Sequence, residues 1–259
     1  MDLQLKDKVV IVTGGARGIG KGIALSLAKE GALVFIISRT EAENLNTVNE
    51  IVAAGGKALH TVAELTDPKA CAQAVEAVVA QCGRIDGLVN NAGENDGVSL
   101  LSGNYERFMH SLHKNLVHYY LVAHHALPEL IKTQGSIVNI TSKVADTGQG
   151  GTSAYAASNG ARNALTREWA VELLPHNIRV NAVAVAECYT PLYDRWIKTL
   201  PNPEEKLASI TAKIPLGKRM TTVEELGNAV AFLLSPVSSH TTGQIMYVDG
   251  GYTHLDRSI

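Results

Sequence analysis

Apolar residues follow two rhythms along this chain. Short runs, several of them apolar throughout, alternate with longer stretches in which apolar positions return every three or four residues. The short runs predict strands over 8–13, 33–38, 58–63, 87–90, 136–141, 179–185 and 244–248, and unbroken apolarity is what a strand covered on both faces requires. The longer stretches predict helices over 18–30, 41–54, 67–82, 104–132, 152–174 and 223–234, the third opening with Asp67 as its cap and Pro68 in its first turn. Alternation of strand and helix is the pattern of βαβ crossovers, so the expected architecture is α/β, a doubly wound, seven-stranded parallel sheet. A single domain over 1–259 is expected, because no Pro/Ser-rich linker divides the chain and an α/β unit can reach ~250 residues. The rhythm fails at 186–222, which holds Tyr189-Thr190-Pro191-Leu192-Tyr193 and Pro201-Asn202-Pro203. An insertion of that length at the carboxyl edge of a sheet is expected to be a lid or binding loop on the substrate side.

Composition narrows the function more than the fold. Lys+Arg number 23 against 25 Asp+Glu, a formal net charge of −2, which leaves no broad positive field for nucleic acid or an anionic membrane surface. A small-molecule partner is expected. Cys71, Cys82 and Cys188 are odd in number, and the first two, on one predicted helix rising ~1.5 Å per residue, stand ~16 Å apart, beyond disulfide reach. With charges in its first residues and no window of ~18 apolar ones, the chain is expected to be cytoplasmic, in a reducing compartment.

Candidate chemistry begins after the first strand, where Thr13-Gly14-Gly15-Ala16-Arg17-Gly18-Ile19-Gly20 opens directly into a helical pattern. Glycines there let the backbone turn tightly and approach a pyrophosphate, whose charge the helix N-terminus favours. The second strand ends in Ser38-Arg39, where a site for NAD usually supplies a carboxylate for the ribose 2′-hydroxyl. Arg39, with Arg17, can pair with a 2′-phosphate, which favours NADP, with NAD as the alternative.

These features, with Asn90-Asn91-Ala92-Gly93 after the fourth strand and Ser142 thirteen residues before Tyr155, resemble the short-chain dehydrogenase/reductase family over the whole chain. The resemblance implies a Rossmann-type fold and a homotetramer. It implies a dinucleotide lying against Gly14, Arg17, Gly18, Ile19, Gly20, Ser38 and Arg39, then Glu64 and Leu65, then Asn91, Ala92 and Gly93, and finally Tyr155, Asn159 and Thr190. It also implies that Asn115 supports a proton-relay water, that Ser142 polarises the substrate oxygen and that Tyr155 exchanges its proton.

A narrower likeness is to the bacterial L-fucose dehydrogenases of that family, which oxidise the anomeric hydroxyl of a free sugar to a lactone. It is carried by Glu94-Asn95-Asp96-Gly97, Asn115-Leu116-Val117-His118-Tyr119-Tyr120, Thr147-Gly148-Gln149-Gly150, Thr166-Arg167-Glu168-Trp169-Ala170 and the tail from Asp249 through Asp256 and Arg257. The residues expected to meet the sugar are Glu94, Asn95, Asp96, Ser142, Lys143, Gln149, Tyr155 and Glu187. Side chains with paired donors and acceptors suit a polyol, since a site built for hydroxyls leaves its polar groups unsatisfied by an analogue lacking them.

Two positions depart from the family's pattern. Four residues after the tyrosine the family has a lysine, and here Tyr155-Ala156-Ala157-Ser158-Asn159 has an asparagine on the same helix face. Base chemistry near neutrality needs a phenol of ordinary pKa ~10 lowered by ~2–3 units, or ~3–4 kcal/mol. One cation ~4 Å away at an effective dielectric of ~20 supplies ~4 kcal/mol, and an amide supplies no charge. Lys143 beside Ser142 is a weak candidate to replace it, since its neighbour's role does not aim its own side chain. After the sixth strand the family has Pro-Gly where this chain has Val185-Ala186, which is expected to loosen the adjoining wall.

Nine histidines invite a metal reading, yet His110, His113, His118, His124 and His125 on one predicted helix have no spacing that assembles a tetrahedral set, so no metal is expected. That helix, with Tyr119 and Tyr120, is expected to form an oligomer seam. Three functions remain open at this point. The leading one is an NADP-dependent sugar dehydrogenase with Asn115, Ser142, Tyr155 and Asn159 as its catalytic set. The others are a protein of the same fold that binds cofactor and sugar but turns over poorly for want of the lysine, and a ketone reductase acting on another substrate.

Overall fold

In the computed structural model the described residues are 1–255, so Asp256 and Arg257 of the carboxyl-terminal motif lie outside them. Seven parallel strands form one sheet: β1 (Val9–Thr13), β2 (Leu33–Ser38), β3 (Lys57–Val62), β4 (Gly87–Asn90), β5 (Ser136–Ser142), β6 (Arg179–Val185) and β7 (Ile245–Val248). Their order is β3-β2-β1-β4-β5-β6-β7. The winding reverses between β1 and β4, where Val10–Val12 pair with Gly87–Val89, and a crevice opens beyond the carboxyl ends of such a pair. The expected single-domain, doubly wound architecture is the one observed.

Helices cover both faces, which is why β1 and β4 are apolar and wholly buried. One face carries α1 (Gly18–Lys29) and α2 (Glu41–Ala53), with α9 (Val223–Leu234) beside them; the other carries α3 (Pro68–Cys82), α5 (His118–Thr133) and α6 (Ser153–Glu172). The Asp67 carboxylate caps α3 by accepting from the Lys69 amide at 2.9 Å, as the Asp-Pro signal predicts.

Two expectations give way. The helix expected over 104–132 is interrupted: α4 (Tyr105–Leu112) passes into a π-helical turn, His113–Val117, before α5 begins. A widened turn of this kind keeps its residues in the helical region, so the recurrence of apolar positions does not register it. The stretch 186–222 is not bare loop, for it contains α7 (Pro191–Ile197) and α8 (Pro203–Thr211). Pro191 and Pro203, which read as loop punctuation, are first-turn prolines, a position that needs no amide donor. The wall after β6 is also braced where loosening was expected. Cys188 bridges Thr221, whose amide donates to the Glu187 carbonyl at 3.0 Å and whose hydroxyl donates to Val248.

Helices α1 and α9 cross in close contact. A Cβ at Gly22 would overlap the Val223 side chain, so the two backbones approach only because that position is bare. Gly22→Val is expected to lower the unfolding free energy by about 1–3 kcal/mol, the usual cost of overpacking, measured by urea denaturation; stability equal to the parent's would show that the crossing is loose.

Candidate active site

A cleft of about 1140 Å³ lies along the carboxyl edge of the sheet. Its inner end is fixed where β1 and β4 finish. The Thr13 hydroxyl accepts from the amides of Asn91 and Ala92 at 2.9 and 3.2 Å, while the Asn91 side-chain amide donates back to the Thr13 carbonyl at 2.8 Å. Gly14 adopts φ +64°, and a Cβ on Gly20 would overlap the Gly14 carbonyl, so the turn from β1 into α1 closes only with glycine at both. No acidic residue stands in the first turn of α1 and no side chain caps it, which leaves its amide donors and dipole for an anion.

The wall running outward from that turn contains the expected cofactor residues. Arg17, Gly18 and Ile19 line it from the glycine loop, Ser38 and Arg39 from the end of β2, Glu64 and Leu65 from the end of β3, Ala92 and Gly93 beyond β4, and Thr190 at the start of α7. Arg17 is not free: its guanidinium pairs with Glu43 at 2.9 Å. Ser38 donates to Asn44 Oδ1. This cradle, with bare backbone at the turn and polar groups at the end of β2, fits a nicotinamide dinucleotide, which when bound supplies a carbon that accepts or gives hydride.

Ser142 and Tyr155 both line the cleft, one at the end of β5 and the other in the first turn of α6. Beside them a buried ion pair joins Lys143 to Glu187, with side-chain exposures of 9% and 13%. The Lys143 ammonium also sits 4.1 Å from the centroid of the Tyr252 ring. The Tyr193 hydroxyl is buried near this pair, and burial first, then the charge and hydrogen bonding of Glu187, push its phenol up. Lys143 therefore does point inward, but toward a carboxylate.

The loop after β4 supplies a second polar group. Glu94 pairs with Lys114 at 2.8 Å, and that hydrogen bond, outweighing burial, holds its carboxyl below the usual range, helped by the charges of Lys114, Arg39 and Arg17. Asp96 accepts from the Ser111 hydroxyl at 2.8 Å, Asn95 accepts from the Gly97 amide, and Gln149 stands exposed on the rim. All the residues expected to meet a substrate line this one cleft.

Asn115 and Asn159 do not. Asn159 is wholly buried behind the wall, its amide nitrogen donating to the Tyr155 carbonyl at 2.8 Å, so it does not reach toward a ribose. Asn115 turns its side chain to the Glu94 amide and the Ser111 hydroxyl. Its main-chain carbonyl accepts from both Nε, at 2.7 Å, and Nη2 of Arg162. Two nitrogens of one guanidinium thus converge on that single oxygen. Arg162 did not emerge from the sequence reading, although it stands three residues after Asn159 and seven after Tyr155, on the same helix face.

Tyr119 and His118 are likewise corrected from seam to interior. Tyr119 is wholly buried with its hydroxyl donating to the Ile140 carbonyl at 3.0 Å, whereas Tyr120 is half exposed. His118 lines the cleft, bonded through Nε2 to the Lys114 carbonyl at 2.9 Å, with Nδ1 buried and unpartnered. Burial, reinforced by the Arg162 charge, pushes its pKa down to about 3.

Comparison with known proteins places this geometry. Residues 14–253 match the family model described as Enoyl-(Acyl carrier protein) reductase. The chain belongs to the short-chain dehydrogenase/reductase family. It is 39% identical to the 3-oxoacyl-[acyl-carrier-protein] reductase FabG of Thermotoga maritima, over 96% of this chain and 99% of that one. Among solved structures, Cj0485 dehydrogenase superposes with a TM-score of 0.94 at 44% identity, covering 100% of this chain and 99% of that one. The aldohexose dehydrogenase of Thermoplasma acidophilum follows at a TM-score of 0.89 and 31% identity, covering 100% and 99%. This short-chain dehydrogenase is thus an oxidoreductase of a family that uses NAD(P).

The imidazole of His118 gives a testable consequence. Its folded pKa lies below the ordinary 6.5, so between about 6.5 and 3 the unfolded chain binds a proton that the folded chain refuses. Stability contributed by the neutral ring is therefore complete above pH 6.5 and falls by up to ~1.4 kcal/mol per unit as pH drops. Urea unfolding of the parent and of His118→Leu between pH 7 and 4 is expected to show a shallower loss in the variant; equal slopes would mean the ring is not held neutral.

Proposed function

We propose that this protein oxidises the anomeric hydroxyl of a free aldose, L-fucose or a sugar of similar hydroxyl pattern, to the lactone with NADP. The observation that carries the reading is the buried Lys143–Glu187 pair beside Ser142. Two desolvated charges next to the reacting position are costly unless something with several hydroxyls completes their hydrogen bonds, and an apolar chain does not. Glu94, Asn95, Asp96 and Gln149 extend the same polar surface, and the likeness to an aldohexose dehydrogenase supports the substrate class. Ser142 holds the substrate oxygen while Tyr155 takes the hydroxyl proton as the anomeric hydrogen leaves with its electron pair.

NADP is the proposed cofactor because Arg39 stands exposed at the end of β2 with no carboxylate paired to it among the described residues, while Arg17 is shared with Glu43. The proposed assembly is a cytoplasmic homotetramer with Tyr105 and Tyr120, both exposed on α4 and α5, in its seam; light scattering of the purified protein is expected to give four copies.

A second reading, reduction of a ketone on an acyl chain, draws on the likeness to FabG and on Leu192, Trp196 and Ile210 along the outer cleft. The two separate by direct assay. L-Fucose is expected to reduce NADP with release of a lactone, and 3-oxoacyl thioesters are expected to leave NADPH unoxidised; the reverse pattern would transfer the site to the second reading. Arg39→Ala is expected to raise KM for NADP about tenfold, the scale of one lost charge-assisted contact, and to leave KM for NAD unchanged.

A further inference from the structure

Arg162 is the cation set deepest behind the reactive edge, only 3% exposed. Besides the Asn115 carbonyl, its guanidinium donates from Nη1 to Asn159 Oδ1 at 3.1 Å and to the Ile140 carbonyl at 3.2 Å. It lies 4.2 Å from the centroid of the Tyr119 ring. Every one of these partners is neutral, so the charge is solvated by oxygen dipoles and a ring face but not cancelled. Seven residues along α6 are about two turns of ~3.6, which puts Arg162 and Tyr155 on one face, and both reach the cleft. Of the other cations named above, Lys143 is matched by Glu187, Lys114 by Glu94 and Arg17 by Glu43, while Arg39 is solvent-exposed at the end of β2.

We infer that Arg162 provides the fixed positive charge for proton exchange at Tyr155, acting through Asn159 and the Asn115 carbonyl as a positioning residue that does not touch the reacting atoms. The inference rests on the proposed role of Tyr155, though not on which substrate is turned over. In the oxidative direction the substrate hydroxyl proton passes to the Tyr155 phenolate, which becomes neutral phenol. Arg162 neither gains nor loses a proton, because a guanidinium stays charged throughout the working range.

The neighbours do not supply a competing charge. Against α6 the π-helical turn and the start of α5 bring Lys114, already paired, and His118 and Tyr119, both uncharged. The turn after β5 brings Lys143 with Glu187. From α4, Glu106, Arg107 and His110 are solvent-exposed, and the charge of β6, Arg179, lies at the opposite end of its strand.

The test is the pH dependence of kcat for NADP reduction. Where a tyrosine serves as the base, activity rises with pH as the phenol gives up its proton, and a fixed cation behind it favours the phenolate, so removing that cation moves the midpoint upward. Arg162→Leu is expected to raise the midpoint by about one pH unit or more and to slow turnover at pH 7 at least about tenfold, with KM for NADP little changed. Arg162→Lys is expected to stay within half a unit, about the effect of a displaced rather than a deleted charge. Asn159→Lys together with Arg162→Leu, which moves the charge along the helix, is expected to bring the midpoint back, whereas Asn159→Lys alone crowds two cations and lowers thermal stability without raising the rate. A folded, NADP-binding Arg162→Leu with the parent's midpoint would overturn the inference. If that variant does not fold, Arg162→Gln, which keeps a donor and drops the charge, faces the same two outcomes. If no sugar is oxidised, the ultraviolet tyrosinate step that Tyr155→Phe lacks is compared between parent and variant without substrate. An upward displacement in the variant supports the inference and none overturns it, so failure of the sugar reading stays distinct.

Discussion

A guanidinium removed from water must have its donors met by the protein, and at Arg162 that demand draws three elements together. Leaving an ion of this kind buried and unsatisfied costs several kcal/mol. The acceptors come from the π-helical turn through Asn115, from β5 through Ile140 and from α6 through Asn159. The extra residue in the turn presents the Asn115 carbonyl, and the loop after β4 must pass close by. A Cβ at Gly93 would stand 2.7 Å from Asn115 Oδ1 and 2.9 Å from Arg162 Nη2. Asn159 then reads differently: its amide spans from the Tyr155 carbonyl to the guanidinium, so its two ends tie the charge to the first turn of α6.

The remainder of the cleft divides along its length by the chemistry of its walls. Near β1 the surface is backbone, pinned by Thr13 and Asn91 at the point where the sheet reverses, and suited to a phosphate chain. Toward β5 and β6 it is charged and desolvated, with Lys143 and Glu187 paired beneath Tyr252. Under the proposed function, a dinucleotide at one end and a ligand with several hydroxyls at the other meet over Ser142 and Tyr155. Family membership fixes the class of reaction; the polar half of the cleft carries the proposal for its substrate.

Much of this was legible from the order of residues, and the exceptions share a cause. Strands buried on both faces, the glycine turn, the Asp67-Pro68 start of α3 and the positions of Ser142 and Tyr155 are local patterns, each set by a few neighbouring residues. The π-helical turn was invisible because its residues keep helical dihedral angles and its cause, a carbonyl turned to Arg162, lies 47 residues away. Pro191 and Pro203 were ambiguous because a proline can end a helix or begin one. Asn159 reads as a lost charge because the family's lysine belongs to that one position. Continuing the same helix face one further turn leads to Arg162, three residues on.

The most direct observation is a crystal structure of the protein with NADP bound, read at Arg162. The guanidinium is predicted to hold the Asn115 carbonyl from two nitrogens and Asn159 Oδ1 from a third, with no carboxylate paired to it. A guanidinium turned away from Asn115 and Asn159, or paired with a carboxylate, would contradict the assignment of the fixed charge.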